Sequence, residues 1–175
     1  MAQILFSENY ALMTGVNAQQ ASYGILSFIP HIFFDSISFN TLNIPGVIGA
    51  KASFTLQFGL YSLNGSTLSL SNSISGTVGS SNTGRAYISL TDTSATQNIT
   101  PGVWWFGLLL QSTSSNNSLS FLGNSTINPE NAFPGGFIVG RMTDSTNGLP
   151  SSYATSDLDT TGNDAIFVPN IIISA

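Results

Sequence analysis

The chain has no cysteine, which excludes a disulfide framework, a thiolate nucleophile and any cysteine-based zinc site. Charge is nearly as scarce. Only 6% of its 175 residues are charged, against roughly 25% in ordinary globular domains. Lys51, Arg85 and Arg141 are the three cations, and with eight carboxylates the net charge is −5. Nucleic-acid binding rests on clustered Lys and Arg that displace counterions, so no nucleic-acid partner is expected. Anionic membrane surfaces are disfavoured for the same reason. Long apolar runs are missing too. The richest window, Ile25–Phe39, is interrupted by Pro30, His31 and Asp35 and is too short to cross a bilayer, so no membrane insertion is expected. The first ten residues carry neither a basic region nor a long apolar run, and no cleaved secretory signal is expected.

What the chain does have is 42% hydrophobic residues set among Ser, Thr, Asn, Gln and Gly. That composition argues against disorder, and the length suits a single domain over 1–175 that needs no metal or disulfide to stabilise it. The segment Ile99–Gln111, reading ITPGVWWFGLLLQ, follows a Pro-Gly turn signal and holds no helical period. It predicts a central strand with Val103, Trp105, Gly107 and Leu109 on one face and Trp104, Phe106, Leu108 and Leu110 on the other. Trp104, Trp105 and Phe106 are therefore expected in the core or in a subunit interface.

Elsewhere Phe54, Leu56, Phe58 and Leu60 alternate with polar or small residues as in a half-buried antiparallel strand. Asn64-Gly65 then signals a hairpin. Residues 1–20 predict short strands or a docking arm. Pro30 is expected to end or bulge a strand, Pro45-Gly46 to form a turn, and Ser71–Gly84 a loop or weak edge. Thr143–Asp164 is nearly free of apolar residues and reads as a long loop, the kind that often carries function. Many short strands without an amphipathic helix predict an all-β antiparallel sandwich of jelly-roll type.

Two segments, FTLQFGLYSLNGSTLSL (Phe54–Leu70) and ITPGVWWFGLLL (Ile99–Leu110), carry a family resemblance. They resemble the β-sandwich modules at the tips of phage tail fibres and other virion spikes, where a "glyYSlngstlsL" hairpin precedes "ltPGvYWfal". Phe33–Phe39 and Ile166–Ser174 fit the ends of that pattern; Trp104 stands where tyrosine is more usual. The resemblance implies a homotrimer on the virion, contacting other virion proteins and a host-surface glycan or protein. A carbohydrate-binding module of a larger secreted protein and a purely architectural capsid or tail component are the alternatives.

Candidate chemistry is thin. Any Ser-His-Asp arrangement must use His31, the sole histidine, and it lies in an apolar strand. Glycosidase chemistry needs facing carboxylates, and Glu8, Asp35, Asp92, Glu130, Asp144, Asp157, Asp159 and Asp164 form no evident pair. No enzyme activity, cofactor or metal is therefore expected. Asp157, Asp159, Thr161 and Gly162 match the start of a calcium loop, but Val168 stands where the bidentate Glu belongs, which favours a polar turn. Tyr153, among small hydroxyl side chains, either pins its own loop to the barrel, the favoured reading, or stacks on a receptor sugar with Asp157 and Asp159 beside it.

Overall fold

Alternating side chains sort this chain into sheets, and the positions where alternation slips decide how the sheets are covered. The computed structural model describes residues 3–5, 16–20, 23–48, 53–79, 84–113, 119–125, 140–142, 147–158, 167–169 and 171–174. Along the chain these form β1 (Gln3–Leu5), β2 (Val16–Gln20), β3 (Leu26–Phe33), β4 (Ile37–Phe39) and β5 (Thr41–Ile48). They continue through β6 (Ser53–Asn64), β7 (Thr67–Gly79), β8 (Gly84–Thr91), β9 (Gln97–Ile99) and β10 (Gly102–Thr113). The last are β11 (Leu119–Ser125), β12 (Gly140–Met142), β13 (Ser152–Ala154), β14 (Phe167–Pro169) and β15 (Ile171–Ser174), with a 3-10 turn at Thr155–Asp157. No helix among the described residues is long and apolar enough to cross a membrane.

The fold is an all-β antiparallel sandwich. One sheet runs β12-β3-β10-β6-β7-β13. The other is organised on β5, which pairs β8 along one edge and β15 and then β11 along the opposite edge. β1 extends β15, and β2 and β14 extend β11. A short ribbon, β4 with β9, stands apart.

The two sheets bury a shared core. Leu42, Ile44, Ile88, Leu90 and Phe121 face Phe54, Leu56, Phe58, Phe106 and Leu108 across it. β10 lies between β3 and β6, as its sequence predicts, and both its faces are covered. Phe106, Leu108 and Leu110 enter the inner core, with Trp104 packed at its margin. Trp105 and Leu109 enter a second, outer core with Leu26, Phe28, Tyr61, Leu68 and Leu158. At about 25 cal/mol per Å², covering aromatic rings on both faces makes this strand a major source of stability.

One local expectation is decided and three are corrected. Of the two readings of Ser71–Gly84, the edge strand holds up to Gly79: β7 pairs β6 along its whole length, while β13 reaches only Thr67, Leu68 and Ser69 on its other side. A bulge falls where Leu60 pairs Asn72 and Tyr61 pairs Leu70, leaving Ser71 as the extra residue. An extra residue inverts the alternation, so Leu68 faces the outer core while Ile74 faces the inner one. The apolar spacing is thereby broken, which is why the segment looks irregular in sequence.

β3 runs through Pro30 to Phe33, with β12 reaching only Leu26–Phe28 on its other edge. Pro45-Gly46 lies inside β5 rather than in a turn. Pro45 falls between the stretches of β5 that pair β15 (Thr41–Asn43) and β11 (Gly46–Ile48), and a strand tolerates proline where the ladder is interrupted. Gly46 is a close-approach site: a Cβ there would stand 2.8 Å from Ile88 Cδ1 and 3.0 Å from the Ser120 carbonyl oxygen. The third correction, to the Thr143–Asp164 loop, belongs to the outer core.

Candidate functional site

The outer core is built on a slot in the sheet. Gly59 and Gly107 lie opposite each other on β6 and β10. A Cβ on either would stand 2.7 or 2.9 Å from Tyr61 Cε2. The missing side chains let the Tyr61 ring lie flat over the sheet, fully buried and edge-on to Phe28 with centroids 4.9 Å apart. Its hydroxyl donates to the Pro150 carbonyl oxygen at 3.1 Å. Burial raises the Tyr61 pKa, so it stays protonated.

Residues 147–158 cover this slot as a partial third layer. The Leu149 amide donates to Gln57 Oε1 at 2.9 Å, and the Leu70 amide donates to the Ser151 carbonyl at 2.9 Å. β13 adds to the edge of β7, with Tyr153 opposite Leu68. The Thr155 amide and hydroxyl both donate to the Ser66 carbonyl, at 2.9 and 3.0 Å. Leu149, Tyr153 and Leu158 supply the apolar contacts. The expected loop is, over 147–158, a fastened cover whose three large apolar side chains pack against the outer core. Its anchor is the β6–β7 hairpin, which turns at Gly65 with φ +61°, a conformation that favours glycine.

Tyr153 takes the first of its two expected places, pinning its own segment to the sheet. It is partly buried, stacked on Phe28 at 5.8 Å, and its hydroxyl donates to the Asp157 carbonyl at 3.0 Å. Desolvation, and then the nearby Asp157 charge, raise its pKa. Asp157 is exposed at the end of the 3-10 turn, with its carboxylate accepting from Ser156 Oγ. Asp159 lies outside the described residues, as do Thr161, Gly162 and Asp164 of the calcium-loop match. Among the described residues no group of three His, Asp or Glu side chains could hold a metal.

Trp105 and Phe106 are core residues on opposite faces of β10. Trp104 is half-buried, and its indole N–H donates to the Thr100 carbonyl at 2.9 Å. His31 sits opposite Trp104, stacked on Phe106 at 5.5 Å and edge-on to Phe33 at 4.6 Å. Burial among these rings lowers its pKa from 6.5 to about 4, so it is a neutral, packed imidazole at ordinary pH. Asp92 is committed to its own turn. It accepts from the Ser94 hydroxyl and amide, the Ala95 amide and buried Gln97. These bonds lower its pKa, those from Ser94 most.

The surface that sequence reasoning missed is the outward face of the β5–β8 pair. Tyr87 reads there as an ordinary strand aromatic, yet its side chain is 68% exposed. It lies opposite Pro45 and is followed along the ladder by Asn43 with Ser89, then Thr41 with Thr91. Ser89 Oγ donates to Asn43 Oδ1, and the Thr41 and Thr91 hydroxyls are 3.1 Å apart. The signal was present in the sequence of β8: Tyr87 shares its parity with Ser89 and Thr91 and alternates with the apolar Ile88 and Leu90, which are buried. Comparison of the chain with protein-family models, with curated proteins and with solved structures finds no match.

Proposed function

We propose that the chain is a non-enzymatic virion structural module of the spike or tail-fibre type, assembled as a homotrimer and mediating attachment to a host surface. The carrying observation is where the two family-like segments sit. Phe54–Leu70 and Ile99–Leu110 are far apart in sequence, but they supply β6, the start of β7 and β10, three neighbouring strands at the centre of one sheet. The resemblance thus lies in a contiguous structural unit rather than in scattered strands. The chemistry around it suits display: a rigid sandwich, a fastened cover and an outer surface rich in neutral hydroxyl and amide groups.

Native mass by size-exclusion chromatography with light scattering tests the reading. A homotrimer of the 18.4 kDa chain is expected at about 55 kDa. A monomer would overturn the spike assignment and leave a stand-alone binding module in its place.

A further inference from the structure

We propose that Asn64 is a self-modification site: the Gly65 backbone nitrogen attacks its carboxamide and converts it to aspartate and isoaspartate, which unfastens the cover from the β6–β7 hairpin. The inference does not depend on the attachment reading above, because it uses only the hairpin and its contacts.

The chain contains two Asn-Gly pairs, Asn64-Gly65 and Asn147-Gly148, and the fold treats them differently. Asn64 ends β6, and Gly65 and Ser66 form the tight turn that leads into Thr67. All three turn residues, Asn64, Gly65 and Ser66, are exposed. Among the described residues neither the Asn64 carboxamide nor the Gly65 amide has a hydrogen-bond partner. A Cβ built on Gly65 would meet nothing within 4 Å, so base and water reach the turn freely. At the second pair Gly148 is half-buried, and a Cβ there would stand 3.1 Å from Gln57 Oε1. The next amide, of Leu149, is tied to that same oxygen at 2.9 Å. Ring closure between side chain and backbone requires the peptide unit after asparagine to rotate. The packed pair resists that rotation and the open turn permits it.

The chemistry needs water alone as co-reactant. Base removes the proton from the Gly65 nitrogen, which then bonds to Asn64 Cγ. The Cγ–Nδ2 bond breaks, ammonia leaves, and a cyclic succinimide remains. Water opens the ring at either carbonyl carbon. Cleavage between the nitrogen and Cγ yields aspartate; cleavage at the main-chain carbonyl carbon yields isoaspartate, whose backbone runs through Cβ. Glycine favours the opening step because no side chain shields its nitrogen. Isoaspartate lengthens the main chain by a carbon atom where the turn sets the register of the hairpin, and both products add a carboxylate there. The altered turn is also the anchor of the cover. The Ser66 carbonyl accepts from the Thr155 amide at 2.9 Å and from its hydroxyl at 3.0 Å, and Thr67 pairs with Ala154 of β13.

The test incubates the full chain in warm, mildly alkaline buffer and follows it by peptide mass spectrometry, isoaspartyl methyltransferase labelling and hydrogen exchange. Asn64 should convert ahead of every other asparagine, Asn147 included, with the mass gain of a hydroxyl replacing an amino group. In the converted chains the Thr155 amide should exchange about tenfold faster, the scale of one lost hydrogen bond, while amides of β10 keep their protection. Asn64→Gln, whose longer side chain disfavours ring closure, should keep Thr155 protected through the same incubation. The proposal is overturned if Asn64 stays intact in the folded chain over the time in which it converts in urea, because the turn would then hold the nitrogen away from Cγ. Earlier conversion of Asn147 would equally overturn it. So would conversion of Asn64 that leaves Thr155 exchange unchanged, or loss of Thr155 protection in incubated Asn64→Gln, since either would separate the turn chemistry from the cover.

Discussion

Gly107→Ala tests whether the slot beneath Tyr61 is as tight as its geometry requires. The new methyl carbon would stand 2.9 Å from Tyr61 Cε2 and 3.0 Å from Leu26 Cδ1. Both side chains are fully buried, so neither can swing into solvent, and overpacking of this kind costs about 1–3 kcal/mol. Alanine also restricts the unfolded chain, which returns about 0.5–1 kcal/mol. The expected net loss is about 1–2 kcal/mol, or roughly 2–8 °C in Tm for a chain of this size. Urea unfolding followed by tryptophan fluorescence is a suitable assay, because Trp105 lies directly opposite Tyr61. Adding Tyr61→Leu opens the slot, so the double variant should lose less than the sum of the two single losses. Wild-type stability in Gly107→Ala, or strict additivity in the double variant, would refute the argument.

Two further outcomes follow from the same packing. His31 stays neutral in the folded chain down to about 4, while in the unfolded chain it takes up a proton near 6.5. The unfolded state therefore binds more protons between those values, and stability should fall by about 2–3 kcal/mol as pH is lowered through that window. His31→Phe should flatten that part of the stability profile, and an unaltered slope in urea titrations from pH 7 to pH 4 would count against it. Tyr61→Phe removes the hydroxyl that holds the Pro150 carbonyl. It should cost about 1 kcal/mol and speed hydrogen exchange at the Leu70 amide, which donates to Ser151; unchanged exchange would show that the cover does not depend on this bond.

Strands whose side chains alternate without interruption were legible in the sequence. Phe54 to Leu60 and both faces of β10 are where the residue pattern puts them, because burial and period agree there. The structure departs from the pattern where backbone geometry overrides it. The bulge at Ser71 hid half of β7, and the gap between β15 and β11 let a Pro-Gly pair sit inside a strand. Residues 147–158 read as loop because their order comes from backbone hydrogen bonds to the β6–β7 hairpin, which composition does not record. The two tyrosines were legible to different degrees. A tyrosine among serines can pin its loop or stand exposed, and the pairing of β13 with β7 decides for Tyr153, whereas Tyr87 alternates with Ile88 and Leu90 in the sequence itself.

The cover also has consequences for the order in which the molecule is made. Its bonds join residues about ninety positions apart: Tyr61 reaches Pro150, and Leu149 reaches Gln57. The β6–β7 hairpin closes locally and can form early, while contacts of such separation carry the larger loop-closure cost. During synthesis the hairpin is complete on the order of ten seconds before Leu158 is made. For that interval Leu68 and the Tyr61 ring lack their cover. The nascent chain is therefore most prone to wrong association after its hairpin forms and before its cover docks.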